Sequence, residues 1–308
     1  MKITGAKTIL TCPGRNFLTL KIFTDEGVYG LGDATLNGME KAVKTYLDEY
    51  CIPALIGMDP RNTEDIWHYF YRGVYWKRGS VSMTAVSAID MALWDIKGKV
   101  LNTPLYNLLG GKSRDRILVY AHANGKDLND TVEKAGLEIE KGFKAVRIQS
   151  GIPGIEHTYG VPRDNKAYEP AEKGLPKTDF WDTSKYLNYI PGVFEKVREA
   201  FGSDIHLLHD VHHRCTPVEA ARLAKELEPF HLFWLEDAVT GELQEGLRLV
   251  RRHSTTPLAI GEVFNSIYDY TTLFSEQLID YIRMPLVHGG GITHMQKVAA
   301  FASVYHIN

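Results

Sequence analysis

The chain is poor in cysteine: 308 residues hold only Cys12, Cys51 and Cys215. They are far apart and make no CxxC pair. That argues against a zinc ribbon, a dithiol redox centre or a disulfide framework, and for reduced thiols in the cytoplasm. An excess of positive charge is also missing, since 35 Lys and Arg stand against 38 Asp and Glu. A nucleic-acid partner, which needs a basic footprint, is therefore not expected. No apolar run approaches the roughly 18 residues of a membrane span, and the amino terminus lacks the apolar stretch of a signal peptide. What remains is an ordinary globular composition, 44% hydrophobic and 24% charged. It suits one large domain and a smaller one.

The first part of the chain, residues 1–111, reads as an α+β module. Phe17 to Thr24 alternates, Asp25-Glu26-Gly27 makes a turn, and Val28 to Gly32 returns as a hairpin. Helical spacing follows over Met39–Tyr50, Thr63–Tyr71 and Ser82–Val100, with Thr63 and Ser82 as N-cap candidates. From residue 112 to 308 the rhythm becomes strand then helix. The strand candidates are Ile117–Ala123, Ala145–Gln149, His206–Val211, Phe233–Glu236, Leu258–Glu262 and Tyr281–Met284. Repeated β-α units with buried strands and polar strand ends predict a (β/α) TIM-type barrel, making the chain α/β with an N-terminal α+β capping domain. The count does not close, because an eight-unit barrel takes about 250 residues. About six of eight units are expected here, and the chain reads as a piece of a longer one.

Three familiar patterns fail. Gly30-Leu31-Gly32-Asp33-Ala34-Thr35 lacks the third glycine of a dinucleotide loop and lies in an antiparallel unit. Tyr120-Ala121-His122-Ala123-Asn124 holds one histidine where many barrel hydrolases carry His-x-His. Gly289-Gly290-Gly291 before a helix reads as a β-α turn rather than an anion site.

Three acids do stand out. Asp210, Glu236 and Glu262 end three successive strands, spaced 236 − 210 = 26 and 262 − 236 = 26. One β-α unit per step sets the three carboxylates side by side on a barrel rim. Like charges that close repel unless a cation neutralises them, and an all-oxygen set suits Mg2+. A single acid there would read as a helix cap; three in register favour a metal. In His209-Asp210-Val211-His212-His213, strand alternation sends Asp210 and His212 to one side and His209 toward the helices. His212 is then a candidate general acid or base, and His213 is balanced between a site group and a solvated loop residue. A zinc site is weaker, because the neighbouring strands offer only carboxylates. The stretch Gly151–Phe180 is too long for a passive connection. It carries Tyr159 and follows Arg147, whose charge would favour a phenolate, although Tyr159 reads equally as a packing residue.

Ala85-x-x-Ala88-x-x-x-Ala92-Leu93-Trp94-Asp95 and Pro104-Leu105-Tyr106-x-Leu108-Leu109-Gly110-Gly111 resemble the cap-to-barrel region of the enolase superfamily, with its mandelate racemase/muconate lactonizing-type fold. Four further segments resemble its D-mannonate dehydratase family: Thr11–Asn16, Gly32–Gly38, His209–His213 and Gly261–Ser266. The second barrel strand, Lys144-Ala145-Val146-Arg147-Ile148-Gln149, lacks the Lys-x-Lys of racemases and cycloisomerases.

That resemblance implies a hydro-lyase with Mg2+ on Asp210, Glu236 and Glu262. Tyr159, assisted by Arg147, would take the α-proton of an acid sugar, leaving an enediolate, and His212 would protonate the departing 3-hydroxyl. D-mannonate would give 2-keto-3-deoxy-D-gluconate, with D-gluconate a slower substrate. The resemblance also implies that Asn37, His122, Glu262 and Arg283 bind substrate, and that the protein is a homo-oligomer, tetramer or octamer. A histidine on the seventh strand and a glutamate on the eighth would lie beyond Asn308. The segment Asp237–Glu245 departs from the family's Pro-Ala-Glu-Asn-Gln-Glu form. A dehydratase or epimerase for another acid sugar is the competing enzyme reading, and a regulatory or ligand-binding protein with a vestigial site is the non-enzymatic one.

Overall fold

The computed structural model describes residues 1–155, 158 and 181–308. The chain opens with β1 (Ile3–Thr11), β2 (Phe17–Thr24) and β3 (Tyr29–Asp33), an antiparallel sheet in that order. Along β2 burial alternates, with Leu18, Leu20, Ile22 and Thr24 turned inward. That face rests on the helices Glu40–Tyr46, Thr63–Arg72 and Ser80–Val100. On β3, Gly30 and Gly32 let the sheet touch a helix backbone. A Cβ on either would come within 1.9 Å of the Ala92 or Ala88 carbonyl oxygen. Packing is thus the use of the two glycines that resemble the start of a dinucleotide loop.

Neither expected N-cap acts as one. The helix from Thr63 is preceded by Asn62, whose side chain makes no capping bond, and the long helix starts at Ser80 after Gly79. Ser82 Oγ instead donates backward to the Arg78 carbonyl at 2.7 Å, the alternative open to a serine hydroxyl inside a first turn.

Six parallel strands follow: β4 (Tyr120–Gly125), β5 (Ala145–Ser150), β6 (His206–Asp210), β7 (Trp234–Glu236), β8 (Leu258–Ile260) and β9 (Tyr281–Ile282). They lie in chain order in one barrel-like sheet, with the main covering helices Leu128–Glu140, Thr183–Phe201, Pro217–Leu227, Leu247–His253 and Gly291–Val304. All six residues of β5 are buried. Val146 and Ile148 join the apolar core beneath the helices. Arg147 and Gln149, on the other side, make the polar contacts described below.

Several strands are shorter than their sequence pattern. Ile117, Leu118 and Val119 are exposed and outside β4, because pairing with β5 begins only at Tyr120↔Ala145. Strand β8 stops at Ile260, since Gly261 has φ 133 and leaves the extended region.

The two parts meet along the last helix. Trp67 Nε1 donates to the Gly290 carbonyl (2.7 Å) and stacks on His294 at 4.9 Å. Asp90 Oδ2 accepts from the Thr293 amide (3.0 Å) at the amino end of Gly291–Val304. The glycine run Gly289–Gly291 therefore does frame an anion at a helix N-terminus, the Asp90 carboxylate of the preceding part. A Cβ on Gly291 would sit 2.5 Å from that carboxylate. Among the described residues the three cysteines are free, and no helix is long and apolar enough to cross a membrane.

Candidate metal centre and active site

Asp210 ends β6 directly opposite Glu236, which ends β7. Both side chains are buried. Glu262 lies two residues past the end of β8, on the turn after Gly261. Among the described residues two groups have ligand atoms within 4.8 Å of one another: Asp210, Glu236 and Asp237, and His213, Asp237 and Glu262. The structure therefore brings Asp210 and Glu236 together and sets Glu262 in an adjoining group. Asp237 is common to both. The sequence reading missed it because strand alternation would send the residue after Glu236 to the helix side. Its left-handed backbone, φ 46, turns it back. A second acid beside a strand-end acid was the only signal.

The electrostatics mark this corner as strained. Asp237 is fully buried and neither carboxylate oxygen has a hydrogen-bond partner, although His213 Nε2 approaches Oδ2 at 3.3 Å. Burial, then the charges of Glu262, Asp210 and Glu236, push its carboxyl up to about 9. Burial and the Asp210 charge also raise Glu236. Burial would raise Asp210 as well, but the His212 hydrogen bond and charge and the Arg147 guanidinium hold it below the ordinary value. Four carboxylates, both oxygens of Asp237 among them orphaned, fit a hard divalent cation with oxygen ligands.

Opposite the acids stand the donors. Arg147 Nη1 donates to Asp210 Oδ2 at 2.8 Å. Its Nη2 lies 3.3 Å from His122 Nδ1, on the neighbouring strand at the paired position. His212 Nε2 is 2.8 Å from the same Asp210 oxygen, and the His212 amide donates to Asp210 Oδ1 at 3.0 Å. Gln149, also unforeseen, donates to the Asp210 carbonyl at 2.7 Å and approaches His212 Nδ1 at 3.4 Å. Its place two residues from Arg147 on a fully buried strand was the available clue. Arg283 Nε reaches Glu236 Oε1 at 2.9 Å, and Trp234 Nε1 donates to Glu236 Oε2 at 3.0 Å.

His212 faces Asp210 as expected but for another reason. It lies beyond the strand end with φ 54, and His213 follows with φ 59, so two left-handed residues curl the chain back over the site. His209 does point to the helices, where Tyr186 Oη meets its Nε2 at 2.7 Å. His213 Nδ1 is 3.0 Å from the Val239 carbonyl, so it is held rather than solvated. Asn37 lies on the exposed loop after β3, where its Oδ1 accepts from Arg15 (2.9 Å). Tyr159 lies outside the described residues.

Comparison with known proteins agrees with this architecture. Residues 6–110 match the profile of the mandelate racemase / muconate lactonizing enzyme N-terminal domain, and residues 127–308 match the enolase C-terminal domain-like profile. A D-galactonate dehydratase family member, RspA, from Cellvibrio japonicus is 64% identical over 307 residues, covering 100% of this chain and 76% of the relative. A D-mannonate dehydratase from Novosphingobium aromaticivorans is 59% identical with the same coverage. Among solved structures, an enolase from Pantoea ananatis with bound D-gluconate and Mg superposes with a TM-score of 0.90 at 39% identity. That match covers 100% of this chain and 76% of the other.

Proposed function

This chain belongs to the mandelate racemase / muconate lactonizing enzyme family of the enolase superfamily, and from that premise we propose that it is a Mg2+-dependent acid-sugar dehydratase acting on D-mannonate. The observation that carries the reading is the meeting, at one end of the parallel sheet, of orphaned buried carboxylate oxygens with Arg147, His122, His212 and Arg283. Asp210, Glu236 and Glu262 hold the metal, with Asp237 beside them. Bound there, Mg2+ supplies positive charge against the substrate carboxylate and the negative charge that grows as the α-proton leaves.

The remaining roles belong to the chain's own groups. Tyr159 is the base for the C2 proton, and the positive charge of the Arg147 guanidinium is what would favour its phenolate. His212 delivers a proton to the 3-hydroxyl, which departs as water. The enol left between C2 and C3 ketonises to 2-keto-3-deoxy-D-gluconate. His122, Arg283 and Asn37 contact the hydroxyls and carboxylate of the substrate. Gln149 donates toward His212 Nδ1, which leaves the Nε2 proton facing the acids.

Incubation with D-mannonate and with D-gluconate, each with Mg2+ and with EDTA, tests the assignment. The expected result is a 2-keto-3-deoxy acid from D-mannonate, formed more slowly from D-gluconate and absent with EDTA. Tyr159→Phe is expected to lose turnover while still binding the metal. No product from either acid sugar by protein that binds Mg2+ would refute the dehydratase. Exchange of the C2 proton without loss of water would point to an epimerase.

A further inference from the structure

Asp210 and Glu236 are held by the strand ladder itself, whereas Glu262 is not on a strand. It sits between Gly261, with φ 133, and a turn closed by the Phe264 amide on the Gly261 carbonyl at 3.0 Å. Something beyond the sheet has to fix that loop. Asp269 does so with every acceptor it has. Its Oδ2 accepts from the Asn265 amide (3.1 Å) and the Ser266 amide (3.0 Å). Its Oδ1 pairs with the Arg78 guanidinium from the amino-terminal part. Its carbonyl accepts from Gln244 Nε2 (2.8 Å), on the connection that follows Asp237.

One residue thus joins the loop bearing Glu262, the loop bearing Asp237 and a loop of the capping part. Arg78 is itself in a left-handed conformation, φ 76, a backbone cost borne by the loop that aims its side chain at Asp269. Tyr71 Oη, 3.5 Å from Ser266 Oγ, makes a second, looser bridge from the same side.

We propose that Asp269, clamped by Arg78, is a positioning residue that sets Glu262 for metal binding and makes the affinity of the site depend on the capping part. The proposal rests on the metal-site reading given above. Charge-assisted bonds to two backbone amides and a guanidinium are among the stronger polar contacts a loop can make. Groups that orient metal ligands typically cost about 10–100-fold in metal affinity when removed.

The test uses the full chain, with Mn2+ as a probe visible by electron paramagnetic resonance. Asp269→Asn is expected to raise the Mn2+ Kd about tenfold and to raise the Mg2+ concentration needed for half-maximal turnover. Turnover at saturating Mg2+ should stay near that of the wild type. Arg78→Gln should weaken Mn2+ binding in the same direction, and Arg78→Lys, which keeps the charge, should recover part of it. The proposal falls if both Asp269→Asn and Arg78→Gln bind Mn2+ as the wild type does, even if their melting temperatures drop. It also falls if turnover at saturating Mg2+ is lost with Mn2+ affinity unchanged. If Asp269→Asn does not fold, the half-exposed Arg78 variants decide alone. A wild-type protein that binds no Mn2+ would remove the metal-site reading itself, which separates the two failures.

Discussion

The antiparallel and the parallel sheet of this protein draw on similar residues and hide different things. In β2, inward Leu18, Leu20 and Ile22 alternate with more accessible residues, so one apolar face suffices and the other can stay in contact with water. In β5 every residue is buried, and the face away from the helices holds Arg147 and Gln149. A buried polar face has to find partners at close range. Here those partners are the strand-end acids and histidines of the neighbouring strands. The lesson is that the first sheet stores stability while the second accumulates charge, and the candidate site grows where charge is most costly to hide.

Mutations at the two sheets should separate these roles. Glu236→Gln is expected to reduce turnover by roughly 10²–10³-fold or more, the size of losing one preorganised charge-stabilising group. Its melting temperature should hold or rise, because it relieves repulsion among buried carboxylates. Leu20→Ala should do the reverse: about 2–5 kcal/mol of stability lost to a cavity, with Mn2+ affinity unchanged. A large loss of stability in Glu236→Gln would erase the contrast.

The seam between the two parts offers a subtler check. Burial raises the Asp90 carboxyl to about 6, against hydrogen bonds from Thr293 and Ile292 that lower it. A carboxyl raised in the folded state contributes most below its ordinary value of 3.8 and loses that contribution as pH climbs through about 6. Between pH 4 and 7 the wild type should therefore lose up to about 3 kcal/mol relative to Asp90→Asn, which keeps an acceptor for the Thr293 amide. Parallel melting curves for the two proteins across that range would show the seam does not titrate this way. The smallest effect is expected at the rim. Lys297 pairs with Glu64 at 2.7 Å between two substantially exposed side chains, so Lys297→Ala should change stability by less than about 1 kcal/mol and lose even that at high salt.

Much of this was legible in the chain. The hairpin over β2 and β3 and the six-strand order follow from periodicity and turn residues, which are local. Asp210, Glu236 and Glu262 stand out because a β-α unit has a regular length. Reading failed where a single backbone angle decides. Asp237 reaches the site through a left-handed conformation that no alternation rule contains, and His212, although it faces Asp210 as expected, does so through the same kind of turn rather than through strand alternation. Ser82 gave up its cap for a bond to Arg78, which only the path of the preceding loop could favour.

By itself, then, the sequence determined the two kinds of sheet, the absence of a lysine pair on β5 and the regular placing of three acids, because each depends on the identity and spacing of nearby residues. Only the tertiary structure decided that Asp237 lies between the acids, that Asp90 supplies the anion at Gly291, and that Asp269 ties three loops together. Those depend on contacts across long stretches of chain, where packing chooses among conformations that the local sequence leaves nearly equal in energy.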